Sequence, residues 1–218
     1  MNWNDITVKQ YQQLYPILTQ DNSQKSDLDL LVEVISICEG LAVDEIDSWP
    51  YKKLLEKQNE YLFLSDLDFD KTAKSFINAN GKRYHFVHEV EKMPAARYIE
   101  AKTFAAGDII TNLHTIMASC VMPMRKKWYG WIDDKYDARN HAQYAADLQH
   151  AKFCEIYNCV VFFCQLYGGW MIHSRAYLVN VYSQTMTVSE AEELVNVLCN
   201  SMAGYITPKQ LQILKELN

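Results

Sequence analysis

Two histidine patterns are the first places to look for chemistry. His150 and Cys154 stand four residues apart in a stretch read as helix, with His141, Asp147 and Glu155 near them in sequence. On a helix that spacing puts two zinc-ligand types on one face. A closed site needs further ligands, and no CxxC or HExxH run supplies them. Packing plus a solvated imidazole accounts for the pair more simply. His85 and His88 form an HxxH in a stretch read as strand. Residues three apart on a strand point to opposite faces, so one metal cannot take both. DLDFDK (66–71) imitates the opening of a calcium loop, but Lys71 stands where the turn needs Gly and Ile77 where a bidentate Glu is needed. No glycine-rich phosphate loop and no nucleophile elbow occurs. A cysteine–histidine dyad stays open, since such partners need not be close in sequence. With six of each residue type, chance pairs are expected.

MRKKWYGW (124–131) sets three cations beside three aromatics. Arg125, Lys126, Lys127, Trp128, Tyr129 and Trp131 are the candidate interface residues. Such a run can stack on single-stranded nucleic acid, anchor a protein interface through Arg, Trp and Tyr, or form a solvated loop with half-buried rings. Overall charge favours protein over nucleic acid. The chain carries −6, and residues 1–66 hold 5 Lys/Arg against 12 Asp/Glu, a net −7. Residues 67–150 hold 12 against 10, a net +2. An acidic module is repelled by phosphate backbones.

The elements that must position these residues follow from local signals. With 218 residues, 49% of them hydrophobic, the chain can bury a substantial core, and 7 Gly with 5 Pro argue against a turn-rich all-β fold. Thr7 and Gln10 form a capping box ahead of Val8, Tyr11, Leu14 and Tyr15, and Pro16 is expected to kink or end that helix. Ser26 caps a helix over 27–39 that is buried on most sides, with Gly40 as its stop. A short turn follows at 42–50, then a helix from Pro50 to about Leu64 with Leu54, Leu55, Tyr61 and Leu62 inward. Asn80-Gly81 signals a hairpin, with Tyr84, Phe86 and His88 on one face, and ARYIEAKTF (96–104) reads as a third short strand. Asp108 caps a helix that Pro123 ends, with Ile109, Leu113, Ile116, Met117 and Cys120 on one face. An irregular connector over 124–140 leads to a long helix or helix pair from His141 to Tyr167. Gly168-Gly169 breaks it before a helix over 170–184. Thr187 with Glu190, or Ser189 with Glu192, caps another that ends at Gly204, and Thr207-Pro208 starts the last.

The expectation is a mainly α protein: an acidic helical module (1–65), a β-hairpin insertion (66–106, with its strands around 74–104) and a bundle-like helical domain (107–218). Cys38, Cys120, Cys154, Cys159, Cys164 and Cys199 mostly sit inside apolar patterns and read as reduced, small hydrophobes of a protein made in a cytosol. The opening residues lack the form of a secretory signal, and no apolar run is long enough to span a bilayer.

The order of ITVKQYQQLYPI, LLVEVISICEGLAVDEIDSWPYKKLLEKQNEYLFL, the hairpin, ARYIEAKTF, NLHTIMASCVMP and VVFFCQLY resembles small proteins encoded among the tail and connector genes of tailed bacteriophages. CEGLAVDEID carries most of the likeness, and a further likeness is to the crAss-like phages of gut Bacteroidales. The resemblance implies a non-catalytic structural protein of the virion, made in the host cytoplasm. It would be a head–tail connector or tail component in a homo-oligomeric ring, with portal, adaptor or tail proteins as partners. The alternatives it leaves are a tail-assembly chaperone and, outside the resemblance, a thiol or metal-dependent enzyme. It supplies no catalytic residue. Beside it, the residues themselves give no metal, no cofactor and no membrane, and overall charge disfavours the third reading, nucleic-acid binding through Arg125, Lys126, Lys127 and Trp128.

Overall fold

The structure is a computed structural model that describes residues 1–19, 24–65, 69–89 and 93–164, together with 179–180, 183 and 187–190. It is mainly helical, with one four-stranded antiparallel sheet in the order β1-β2-β3-β4. Helix α1 (Val8–Thr19) opens with the expected box, in which Thr7 N–H donates to Gln10 Oε1 at 2.9 Å and Gln10 N–H to Thr7 Oγ1 at 3.3 Å. Val8, Tyr11 and Leu14 are buried on its inner face. Pro16 does not end α1, which continues to Thr19. Its ring lies on the exposed side, where a carbonyl left without its donor can be hydrated.

Helix α2 (Asp27–Glu39) begins at Ser26, in a reciprocal box with Asp29, and stops at Gly40, whose φ of 69° is the left-handed turn that glycine adopts without strain. Val32, Val34, Ile35 and Cys38 are buried, whereas Leu28 is exposed. The short α3 (Val43–Asp47) is anchored by buried Ile46. Helix α4 (Tyr51–Glu60) begins after Pro50, ends four residues before Leu64, and is followed by a 3-10 turn (Leu62–Ser65). Of its expected inward residues only Tyr61 is buried; Leu54 is half-buried, and Leu55 and Leu62 are exposed.

Strands β1 (Phe76–Ala79) and β2 (Lys82–Phe86) form the hairpin that Asn80-Gly81 signals, both residues having positive φ. The chain then makes α5 (Ala95–Ala105) and α6 (Ile109–Cys120) before returning as β3 (Val121–Lys127), antiparallel to β2. The stretch 96–104 is therefore helix and not a third strand. Alanine, Arg, Glu and Lys favour helix there, and Ala101 and Ala105 are small enough to let α6 pack closely. Asp108 caps α6 as expected, accepting from the N–H groups of Ile110 and Thr111.

Proline is also not the end of α6. The helix stops at Cys120, and Pro123 lies inside β3, opposite Tyr84. The connector expected from residue 124 is a second hairpin, β3 with β4 (Gly130–Asp133). Helix α7 (His141–Leu148) and α8 (153–164) are separate. Between them the chain pairs with the N-terminus: Val8 N–H donates to Ala151 C=O at 3.0 Å and Phe153 N–H to Ile6 C=O at 2.8 Å. Trp3 packs edge-on against Phe63 and Phe69, and Tyr11 stacks on Phe153 at 3.6 Å between ring centroids. The capping box of Thr187 and Glu190 is present. The expected helix over 170–184, the stop at Gly204 and the last helix from Thr207 lie largely or wholly outside the described residues.

Candidate protein-interaction surface

Strand alternation divides the sheet into two faces. Ile77, Tyr84 and Phe86 point inward with Val121, and Tyr84 and Phe86 meet rings from Tyr144 of α7 and Phe162 of α8. The register puts Phe76, His85 and Met122 in one row of the opposite face, Asn78, Arg83, Met124 and Asp133 in the next, and Lys126 with Trp131 in the last. The Arg83 guanidinium lies 4.6 Å from the Phe76 ring centroid and 5.9 Å from that of Trp131. Phe76 and Trp131 both remain exposed. His85 Nδ1 meets Asp133 Oδ2 at 2.9 Å, tying β2 to β4 across β3.

The six sequence-predicted residues are brought to one hairpin but not to one face. Lys126 and Trp131 join the outer row, Arg125 and Lys127 alternate to the other side, and Trp128 with Tyr129 form the turn. Trp128 is 95% exposed, with its ring edge-on to Tyr129 at 5.2 Å. Gly130 leaves the turn with φ of 132°, a conformation that side chains oppose, so glycine permits the tight return into β4. Arg125 Nε reaches Asp134 at 3.8 Å. Phe76 and Arg83 belong to the same surface and were missed. The Asn80-Gly81 turn fixes their register within β1–β2, but only the non-local pairing of β2 with β3 brings them near Trp131.

Two buried polar groups hold this platform. Arg97 of α5 donates through Nε to Ser119 C=O at 3.0 Å and through Nη2 to Val121 C=O, and its guanidinium stacks 4.0 Å from the Tyr136 ring centroid. These carbonyls flank the junction where α6 becomes β3, so Arg97 fixes where the hairpin departs. Asp147 of α7 is fully buried and accepts from Asn80 Nδ2 at 2.8 Å, Lys82 Nζ at 2.7 Å, Tyr84 OH at 2.7 Å and Gln143 Nε2 at 3.2 Å. Burial pushes its pKa up, but these donors outweigh burial and hold it below the ordinary value.

One arrangement resembles hydrolase chemistry. Ser119 Oγ donates to Glu100 Oε2 at 2.9 Å, and His141 Nε2 lies 3.0 Å from the same Oγ. In a working triad serine donates to the imidazole, and the carboxylate holds the other ring nitrogen. Here Glu100 takes the serine proton and sits 3.7 Å from the same Nε2, while Ser119 is wholly buried. The cluster therefore ties α5, α6 and α7 together.

The other candidates are engaged elsewhere. His150 is exposed and lies before α8, whereas Cys154 is buried and its thiol faces Asn4 Oδ1 at 3.5 Å. Glu155 pairs with Lys74 at 2.9 Å, and His88 Nε2 meets Ser75 Oγ at 3.1 Å. Asp70 accepts from Thr72 N–H, and residues 66–68 of the calcium-like opening lie outside the described residues. Among the described residues, no group of three His, Cys, Asp or Glu is placed to hold a metal. Burial raises the thiols of Cys38, Cys159 and Cys164 to about 12, which leaves them protonated at neutral pH. Among the described residues no helix is long and apolar enough to cross a membrane.

No protein-family model, curated protein or solved structure matches the chain.

Proposed function

We propose that this chain is a non-catalytic interaction protein that docks through the β3–β4 hairpin and the outer row of its sheet. Its proposed setting is the virion of a tailed bacteriophage, as a ring-forming head–tail connector or tail component made in the host cytoplasm. In this reading the bundle-like helices are the frame, and portal, adaptor or tail proteins are the neighbours. The observation that carries the docking reading is Trp128, 95% exposed at the tip of a hairpin whose base is fixed by Arg97. Water-exposed indole beside Tyr129, on a hairpin that also carries Lys126 and Trp131, has the composition of an interface anchor. The phage setting is supported by the order of sequence patterns that resembles tail and connector proteins.

The test is Trp128→Ala in a phage encoding this chain, scored by the amount of the protein in purified particles. The expected result is normal folding and loss from the particle. Wild-type protein absent from finished particles would replace the virion reading with an assembly factor. Retention of the variant at wild-type level would overturn the docking reading.

A further inference from the structure

We propose that the partner of the hairpin is a second copy of this chain, joined head to tail, with the β3–β4 tip seated on α4 and α3 of the next copy. This rests on the docking reading above and names the occupant of that surface.

Helix α4 has no fully buried side chain, and of its apolar residues only Leu54 packs against the core. Tyr51 and Leu55, one turn apart on α4, are 61% and 39% exposed, and Leu62, in the 3-10 turn after it, is 60% exposed. Tyr51 and Leu55 share one face of α4 as a short apolar stripe open to solvent, and Leu62 adds an exposed apolar side chain past its end. Immediately before α4 in the chain, α3 exposes Asp44, Glu45 and Asp47 around buried Ile46. Of the α4 lysines, Lys57 bridges Glu39 and Glu60, each at 2.8 Å, Lys53 lies 3.3 Å over the Trp49 ring, and Lys52, largely exposed, is 4.0 Å from Glu56. Residues 43–62 hold five carboxylates against three lysines, a net −2, so the segment that carries the stripe is acidic.

The hairpin is the complement in both respects. Trp128 and Tyr129 supply exposed ring area, and neither Lys126 nor Lys127 enters an ion pair with a described residue, although Lys127 Nζ lies 5.9 Å from the Tyr129 ring centroid. The same split runs through the whole sequence, with −7 on residues 1–66 and +2 on residues 67–150. A two-fold contact of hairpin on hairpin would set lysine against lysine, which costs affinity. Basic tip on acidic, apolar-striped helix satisfies both charges. Because the two patches differ, the contact is heterologous and propagates from copy to copy, closing as a ring where the rotation allows.

The experiment uses the full chain and light scattering over a concentration series. One variant carries Lys126→Glu and Lys127→Glu; the other carries Asp44→Lys and Asp47→Lys. All four positions lie outside the buried core, and thermal melts check that both variants fold. Each reversal alone is expected to weaken self-association by about 100-fold, since like charges then face each other. Mixing the two variants should restore it, because each hairpin then meets a complementary α3. A wild-type chain that stays monomeric, a high-mass species that ignores the α3 reversal, or a mixture that fails to reassociate would overturn the head-to-tail pairing. Particle incorporation of Trp128→Ala separates the two levels. If self-association fails but Trp128→Ala is still lost from particles, the docking reading survives with a different partner. If Trp128→Ala is retained, both fall.

Discussion

Replacing Asp147 by alanine is expected to cost about 3–5 kcal/mol of unfolding free energy at pH 7. The carboxylate has no exposure and accepts four hydrogen bonds, three of them between 2.7 and 2.8 Å. A hydrogen bond to a charged group contributes about 1.5–3 kcal/mol. Lys82 is half-exposed, so screening leaves its share at about 1 kcal/mol or less. The Gln143 bond is long, which leaves Tyr84 and Asn80 with most of the effect. Alanine also strands the hydroxyl of Tyr84, a residue 1% exposed, without its acceptor. Urea unfolding of wild type and variant measures the difference. Its pH dependence has a fixed sign. A carboxyl held below its unfolded value, about 4, stabilises fully above that value and loses its contribution as pH falls through the folded-state value. The gap between the two proteins should be constant from about pH 5 to 8 and should narrow below about pH 4. A loss under about 1 kcal/mol, or a gap that widens on acidification, would refute the assignment of Asp147 as the tie between the β1–β2 turn and α7.

Further expectations follow from the same geometry. Trp128→Ala should change stability by less than about 0.5 kcal/mol, because the ring touches little of its own chain; a larger loss in urea unfolding would mean that the hairpin tip is structural. Leu14→Ala should cost about 2–5 kcal/mol by the same assay, since the side chain is fully buried on α1. Arg97→Ala should cost about 2–3 kcal/mol, as the carbonyls of Ser119 and Val121 lose their donor, and amide exchange in β3 should accelerate. Protein purified without a histidine tag should hold no stoichiometric zinc. Zinc present in wild type and lost in His150→Ala would revive the metal reading.

What the sequence determined by itself was whatever closes within a few residues. The capping of α1 by Thr7 and Gln10, of α2 by Ser26 and of α6 by Asp108, the stop at Gly40 and the turn at Asn80-Gly81 were all readable. Each depends on a hydrogen bond or a backbone angle set by neighbours in the chain. The same is true of the aromatic and basic content of residues 124–131. What tertiary structure decided was where those residues face. A strand at 121–127 gains nothing until β2, some 35 residues earlier, lies beside it, so its pattern looked like a connector. Residues 96–104 are helix partly through the local preference of Ala, Arg, Glu and Lys, which was there to be read, and partly because Ala101 and Ala105 are buried against the core, a partner that local propensity does not see. Pro16 was tolerated because its side of α1 faces water, and Leu55 and Leu62 stayed outside because, among the described residues, α4 packs mainly on α2 and the turn that follows it. The candidate surface is non-local in the same way. Phe76, Arg83 and Trp131 come from three strands, and only cross-strand register makes them neighbours.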